Sequence, residues 1–277
     1  MRAPSLAPAL AWLAALPMYD LPQLRTTNDA LWQAIVAGLE REGLVAPHHL
    51  TRETDLEEIW RDPRLLLAQT CGYPLTTSLK GAVQIVATPR YSAPGCAGAF
   101  HRSAIIVAAR SGVTGLEDLR GGCCAFNERR SNTGANLLRA ELAPLARDGR
   151  FFAEVLETGS HAGSLAAVAL GNADVAAIDC VTLALLARDD PDLVAAVRAL
   201  IWTRACPGLP LITGLSTPPE GVQALRRVLQ GVASDPALDA TRRILMIDGF
   251  SLLPDEQYSQ ILELERGAAE LGYPELA

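Results

Sequence analysis

The chain has 277 residues, 49% of them hydrophobic, and a net charge of −7 from 24 Lys and Arg against 31 Asp and Glu. That length and composition describe a folded globular chain with room for two lobes or one large domain. The charges are scattered, so no basic stripe offers itself to a nucleic acid, and no apolar run reaches the roughly 20 residues that cross a bilayer.

The first residues, MRAPSLAPALAWLAALPMYD, carry an early Arg, an apolar stretch and a small-residue ALA sequence, the parts of a signal peptide. Pro4 and Pro8 interrupt the would-be hydrophobic region, and WLAALPMYD reads as a buried strand that cleavage after Ala11 would shorten. The expectation is a cytoplasmic protein, or a periplasmic one if the N-terminus is processed. Apolar runs bounded by turn residues then predict buried strands at 9–17, 64–70, 82–89, 103–110, 123–127, 173–179 and 197–203. Between them, NDALWQAIVAGLEREG (28–43), SLAAVALG (164–171) and VTLALLARDD (181–190) have helical spacing and polar openings. Two amphipathic helices, 220–234 and 254–272, close the chain around a mixed stretch, DATRRILMIDGFSLLP, that fits no single period. Alternating strands and helices predict an α/β protein whose sheets are mostly parallel and covered on both faces.

Two stretches rich in small and turn residues, GCAGAFHRS (95–103) and RACPGLPLITG (204–214), read as crossings between lobes. They divide the chain into a discontinuous lobe I, 1–100 with 204–277, and a lobe II, 101–203. Six cysteines occur without any C-x-x-C pair and with only four His, so no zinc site or other cofactor is expected. Cys71 and Cys96 both fall in Gly- and Pro-flanked loops and are the one pair to test for a disulfide.

Ligands of open α/β sheets bind where strand ends lead into helix N-termini. The strand ends here carry neutral donors, among them Tyr19, Thr70, His101, Ser131, Thr133 and His161, a set that suits an anion. The segment Phe126-Asn-Glu-Arg-Arg-Ser-Asn-Thr-Gly-Ala-Asn136 has two readings. Ser131, Asn132 and Thr133 are plain N-capping residues, or the hydroxyls of Ser131 and Thr133 and the free N–H groups near Gly134 converge on an oxyanion at a helix N-terminus. His161 stands at a second helix entrance, and Asp179, at the end of an apolar strand, either caps the next helix or meets a ligand's amine or hydroxyl.

Three motifs in this order carry a family resemblance: F-N-x-x-x-S-x-T-G, then G-S-H-A-G-S-L-A-A-V-A-x-G-x-A-D-V-A-A-I-D, then P-G-L-P-L-I-T. Together they resemble the phosphate and phosphonate substrate-binding proteins of ABC importers, which have the two-lobed type II periplasmic-binding-protein fold. The resemblance runs from about residue 16 to 213. It implies that Ser131, Thr133, the N–H groups near Gly134, and His161 hold a small oxyanion, with Asn132 in the same loop a further candidate contact, and that a transporter permease is a partner. It further matches Asp179 to a carboxylate that meets a ligand amine, His101 to an aromatic contact, and Tyr19 to a first-lobe contact. The family's N-D-P-x-S-x-S-G is here Asn127-Glu-Arg-Arg-Ser-Asn-Thr-Gly134, so a stiff loop becomes a basic one, which adds anion attraction or changes the ligand. No L-x-x-C lipid-anchor sequence lies near the start.

The expected protein is therefore a monomeric solute-binding protein whose lobes close on the ligand. Two alternatives stand beside it. One is a cytoplasmic ligand sensor or biosynthetic relative; the other is an enzyme on the same fold using Cys124 or Cys180 with His161 and Asp179.

Overall fold

A computed structural model describes residues 12–52 and 54–277; the signal-peptide reading concerns residues 1–11 and lies outside them. The chain starts with β1 (Leu13–Ala15), α1 (Arg25–Arg41), α2 (Leu56–Arg61), β2 (Leu65–Gln69), α3 (Gly72–Thr76) and β3 (Val83–Tyr91). β4 (Phe100–His101) leads to a second sheet through β5 (Ser103–Ala108) and β6 (Cys123–Phe126). A π-helical turn, Asn132–Asn136, then opens α4 (Leu137–Leu142), followed by β7 (Glu154–Glu157), α5 (His161–Ala169) and β8 (Val175–Asp179). α6 (Cys180–Asp189), α7 (Pro191–Ala195) and β9 (Val197–Trp202) complete this part. The chain returns by β10 (Cys206–Pro207) to β11 (Leu211–Gly214), α8 (Pro219–Ser234), α9 (Asp239–Leu245), β12 (Ile247–Ser251) and α10 (Asp255–Glu270).

Each five-stranded sheet is mixed, in the orders β1-β2-β11-β3-β12 and β7-β6-β8-β5-β9, and a two-stranded ribbon of β4 and β10 joins them. The expected mostly parallel arrangement fails for a topological reason. Once the chain has crossed and returned, β11 enters the first sheet from the opposite end and slots antiparallel between β2 and β3. In the second sheet β5 likewise runs against both β8 and β9, leaving only β7-β6 and β6-β8 parallel.

Local sequence explains most elements. β2 (LLLAQ) and β8 (VAAID) are buried at every residue, as strands covered on both faces must be, hence their unbroken apolar runs. α1 buries Leu31, Trp32, Ile35, Val36 and Leu39, the i, i+4 stripe of a helix on a sheet. Three elements depart from the expectation. β11 lies inside the stretch read as a crossing, where Pro207, Gly208 and Pro210 mask a buried LITG strand. α9 and β12 occupy the mixed stretch 239–254, whose strand carries a register shift between Ile247 and Gly249 that breaks any period. β7 is an edge strand with mostly exposed side chains, so no apolar run announces it.

Two features tie the sheets together beyond the ribbon. Val181 and Leu185 of α6 pack into the core of the first sheet with Leu31, Ile35 and Leu229. At the other end, α10 buries Tyr258 and Ile261 with Leu65 and Ile212 of the first sheet, while Ala268, Tyr273 and Leu276 join Phe126, Leu138 and Phe151 of the second. The carbonyl of Ala277 accepts from Phe151 N at 2.7 Å and Phe152 N at 2.9 Å, so the tail ends on the second lobe. Tyr273 is fully buried, and its hydroxyl lies 3.1 Å from both the N and the O of Ala277. Tyr273→Ala is expected to lower stability by about 3–5 kcal/mol through the lost ring and the cavity it leaves. Urea denaturation measures this, and a loss below about 1 kcal/mol would show the tail to be an accessory strap.

Candidate functional site

The ends of β6 and β8, the starts of the π-helical turn and α5, and the loop after β1 converge on one cleft of about 310 Å³. Its walls are the 17–22 loop, Cys71 and Leu209 on one side, and Asn127, Glu128, Ser131, Thr133 and residues 159–162 on the other, with Asp179 and Thr182 at the base.

The base is built around Asp179. It caps α6 by accepting from Thr182 N at 2.9 Å, and the same Oδ1 accepts from the Tyr19 hydroxyl at 3.0 Å. His101 Nδ1 lies 3.1 Å from Oδ2, close enough for an ion pair but out of line for a well-formed hydrogen bond. Burial alone would raise the Asp179 pKa, yet His101, His161 and the Thr182 N–H outweigh it and hold the carboxyl at about 2. Burial would likewise lower the His101 pKa, but the adjacent carboxylate raises it above the ordinary histidine value. The carboxylate thus stays ionised and favours a proton on His101, and the Tyr19 phenol, raised by burial and by Asp179, remains a donor. A proton on His101 offsets the repulsion that Asp179 exerts on an anion.

The upper wall is the π-helical turn. Ser131 Oγ accepts from Gly134 N at 2.9 Å, which is the N-cap expected from sequence. Here the backbone closes i to i−5: Asn136 N donates to Ser131 O at 3.0 Å, and Leu137 N to Asn132 O. An α-helical start would have paired Ala135 N with Ser131 O. The wider turn shifts the first backbone bond to Ser131 O from Ala135 to Asn136, and the positive end of the turn stands at the cleft beside Ser131 and Thr133. Ser103 Oγ donates to Thr133 O at 2.8 Å and pins the turn to β5.

His161 opens α5 behind the Ser160 cap, and its Nε2 lies 2.9 Å from Thr133 Oγ1. Burial lowers its pKa, with Asp179 and the Ala177 backbone opposing, so the ring is neutral at neutral pH. Its buried Nδ1 has no hydrogen-bond partner among the described residues, nor does Asn127 Oδ1 beside it. Gly134 fits because it lacks a side chain: a methyl there would stand 1.8 Å from Asn127 Oδ1 and 3.2 Å from His161 Cε1. Cleft, turn and both strand ends therefore lock through one glycine.

Of the residues singled out from sequence, Tyr19, Ser131, Thr133, His161 and Asp179 line the cleft. Gly134 and His101 stand directly behind it. Asn132 turns inward, accepting from Asn136 Nδ2 at 3.0 Å, and Thr70 is fully buried with its hydroxyl on the Cys71 carbonyl at 3.3 Å, so neither side chain reaches the cleft wall. Asn127, Ser160 and Thr182 do reach it, and no candidate set drawn from the sequence included Asn127 or Ser160; the strand-end and cap positions they hold are the signals that mark them. The basic loop is another correction. Arg129 pairs with Glu275 at 2.9 Å and Arg130 faces Glu57 at 3.8 Å, and neither lines the cleft, so their charge is turned away from it. Cys96 also differs from expectation: its Sγ lies 3.4 Å from Cys180 Sγ, not against Cys71.

A family model, the periplasmic phosphonate substrate-binding protein of ABC transporters, matches residues 13–258. The chain belongs to this family. Solved structures agree on the fold. A binding-protein component of an ABC phosphonate transporter from Pseudomonas aeruginosa is 16% identical with a TM-score of 0.75, covering 94% of this chain and 87% of that one. PhnD1 from Prochlorococcus marinus, determined with methylphosphonate, is 14% identical with a TM-score of 0.72, covering 94% and 98%. A Xanthomonas citri protein determined with ATP is 19% identical with a TM-score of 0.72 over the same shares. No curated protein sequence matches.

Membership disposes of the enzyme alternative, since the family binds substrates for transport. The thiols agree with that: Cys124 lies fully buried within β6, and burial pushes its pKa up, while contact with Cys96, then burial and Asp179, push Cys180 up. The family is periplasmic, so the cytoplasmic expectation loses its support, and no described helix is long and apolar enough to cross a membrane.

Two outcomes follow from the geometry. Gly134→Ala is expected to abolish ligand binding measured by calorimetry while leaving the circular dichroism spectrum of the fold unchanged; binding within twofold of wild type would show that the turn tolerates a methyl. The second concerns pH. The folded pKa of Asp179 is depressed to about 2, so its stabilising contribution is complete above about pH 4 and is lost as pH falls towards 2. His101 has a raised pKa, and its contribution is complete below about pH 6.5 and lost as pH rises through the folded value. Asp179→Asn should remove roughly 2 kcal/mol of the stability lost between about pH 4 and 2, read by urea titration at each pH. An unchanged acid limb would overturn the assignment.

Proposed function

We propose that the cleft binds a small phosphonate or phosphate dianion, with its oxygens received by the N–H groups of the π-helical turn, the hydroxyls of Ser131 and Thr133, and His161, and that the loaded protein delivers it to a transporter permease. The observation that carries this reading is the cleft wall itself: a helix N-terminus carrying Ser131 and Thr133, a Thr133–His161 contact of 2.9 Å and a buried imidazole nitrogen without a hydrogen-bond partner among the described residues. The methylphosphonate complex of PhnD1 supports a compact ligand, and the ATP complex of the Xanthomonas citri protein makes a nucleotide the comparison to run.

Oδ1 of Asp179 is engaged by Tyr19 and Thr182, while Oδ2 has His101 Nδ1 at 3.1 Å without a well-formed hydrogen bond. Calorimetry against methylphosphonate, phosphate, phosphite, 2-aminoethylphosphonate, sulfate and ATP tests the reading. A phosphorus oxyanion is expected to bind saturably. Thr133→Ala and His161→Ala should each weaken it roughly 10- to 150-fold, the value of one hydrogen bond to a charged group at about 1.5–3 kcal/mol. Absence of binding by every phosphorus oxyanion, or full affinity in the double variant, would sink the site.

A further inference from the structure

Away from the cleft walls, a second constellation joins the crossing between the lobes to the start of α6. Cys96 sits in the segment between β3 and β4, half-buried, and Cys180 is the first residue of α6, fully buried, directly after Asp179. Their sulfurs are 3.4 Å apart although 84 residues separate them in sequence. The backbone is shaped to this approach. Gly95 has a φ of +99°, which a side-chain-bearing residue rarely adopts, and a methyl there would stand 2.9 Å from Cys180 Cβ and 2.7 Å from the Trp202 ring. The crossing thus lies flat on Cys180, with Cys96 Sγ against the other thiol.

We propose that Cys96 and Cys180 are a redox pair that closes into a disulfide, fixing the first crossing to the helix that follows Asp179. The periplasmic setting of the family is the kind of compartment in which such bonds form and persist. The oxidant is an external disulfide, supplied there by a dithiol oxidoreductase. Cys96, the less buried thiol, loses its proton and attacks that disulfide; one sulfur leaves as a thiol and a mixed disulfide remains. Cys180 then loses its proton and attacks Cys96 Sγ, forming the intramolecular bond and expelling the second thiol. The two protons and two electrons given up by the pair end on the two released thiols. Contact with Cys96, then burial and the neighbouring Asp179 carboxylate, raise the Cys180 pKa, so the second step is the slower and quickens with pH.

Phosphonate binding plays no part in this chemistry, so the test is independent of it. The full chain is incubated with oxidised glutathione at pH 8, quenched in acid, unfolded, alkylated and weighed. The expected product carries two fewer alkyl groups than the six of the fully reduced chain, and proteolysis without reductant yields the Cys96 peptide joined to the Cys180 peptide. Cys96→Ser should retain no intramolecular link. Six alkylated thiols after prolonged oxidation, or a bond from Cys96 to another cysteine such as Cys71, would overturn the pair.

Discussion

A carboxylate taken out of water must be matched by donors and charge, and Asp179 meets that demand from separate parts of the chain. Tyr19 reaches it from the loop after β1, His101 from the ribbon between sheets, and Thr182 from the helix it caps. Tyr19 and Asp179 are 160 residues apart. None of these residues can be placed without the others, so the position of one buried charge sets how the two sheets face each other. That arrangement also explains how an acidic protein can present an anion site: the cleft's one fully buried carboxylate is already compensated, and the positive end of the π-helical turn stands opposite it.

The sequence showed the fold class and several of the residues that line the cleft, but not the strand directions. Ser131, Thr133 and His161 were legible because strand-end-to-helix junctions have local signatures, and the three motifs occur in a fixed order. The π-helical closure was not legible, since Asn-Thr-Gly-Ala-Asn reads equally well as an ordinary first turn; only the i to i−5 bond from Asn136 distinguishes it. Arg129 and Arg130 show the converse limit. Their charge is visible in sequence, but its direction depends on Glu275 and Glu57, which come from the tail and from α2. Antiparallel β11 was hidden for a similar reason, because strand direction after a crossing is set by the whole path of the chain, not by local preference.

Buried contacts join the lobes on both sides of the cleft, and this bears on how it admits a ligand. On the α6 side, Val181 and Leu185 are buried in the first lobe's core, and the Gly95–Cys96 segment lies against Cys180 and Trp202. Parting the lobes there would expose apolar surface at about 25 cal/mol per Å². On the side of the π-helical turn, Leu137 is fully buried with Leu65, Tyr258 and Ile261, and Asn136 Nδ2 donates to Ile261 O at 3.0 Å; the exposed Arg130–Glu57 pair at 3.8 Å adds only about 0–1 kcal/mol. Buried contacts between the sheets therefore flank the cleft on both sides.

Tyr19 and the cysteine pair hold distinct places in this frame. The Tyr19–Asp179 bond crosses the cleft and joins the loop after β1 to the end of β8. Cys96 and Cys180 lie where the first crossing meets α6, and a covalent link between them would restrain sliding of one on the other. The tail works against a wide swing, since α10 is anchored by Tyr258 in one lobe and Tyr273 in the other. A rigid helix buried at both ends tolerates only a small relative rotation, and a small rotation is all that a ligand of a few heavy atoms requires.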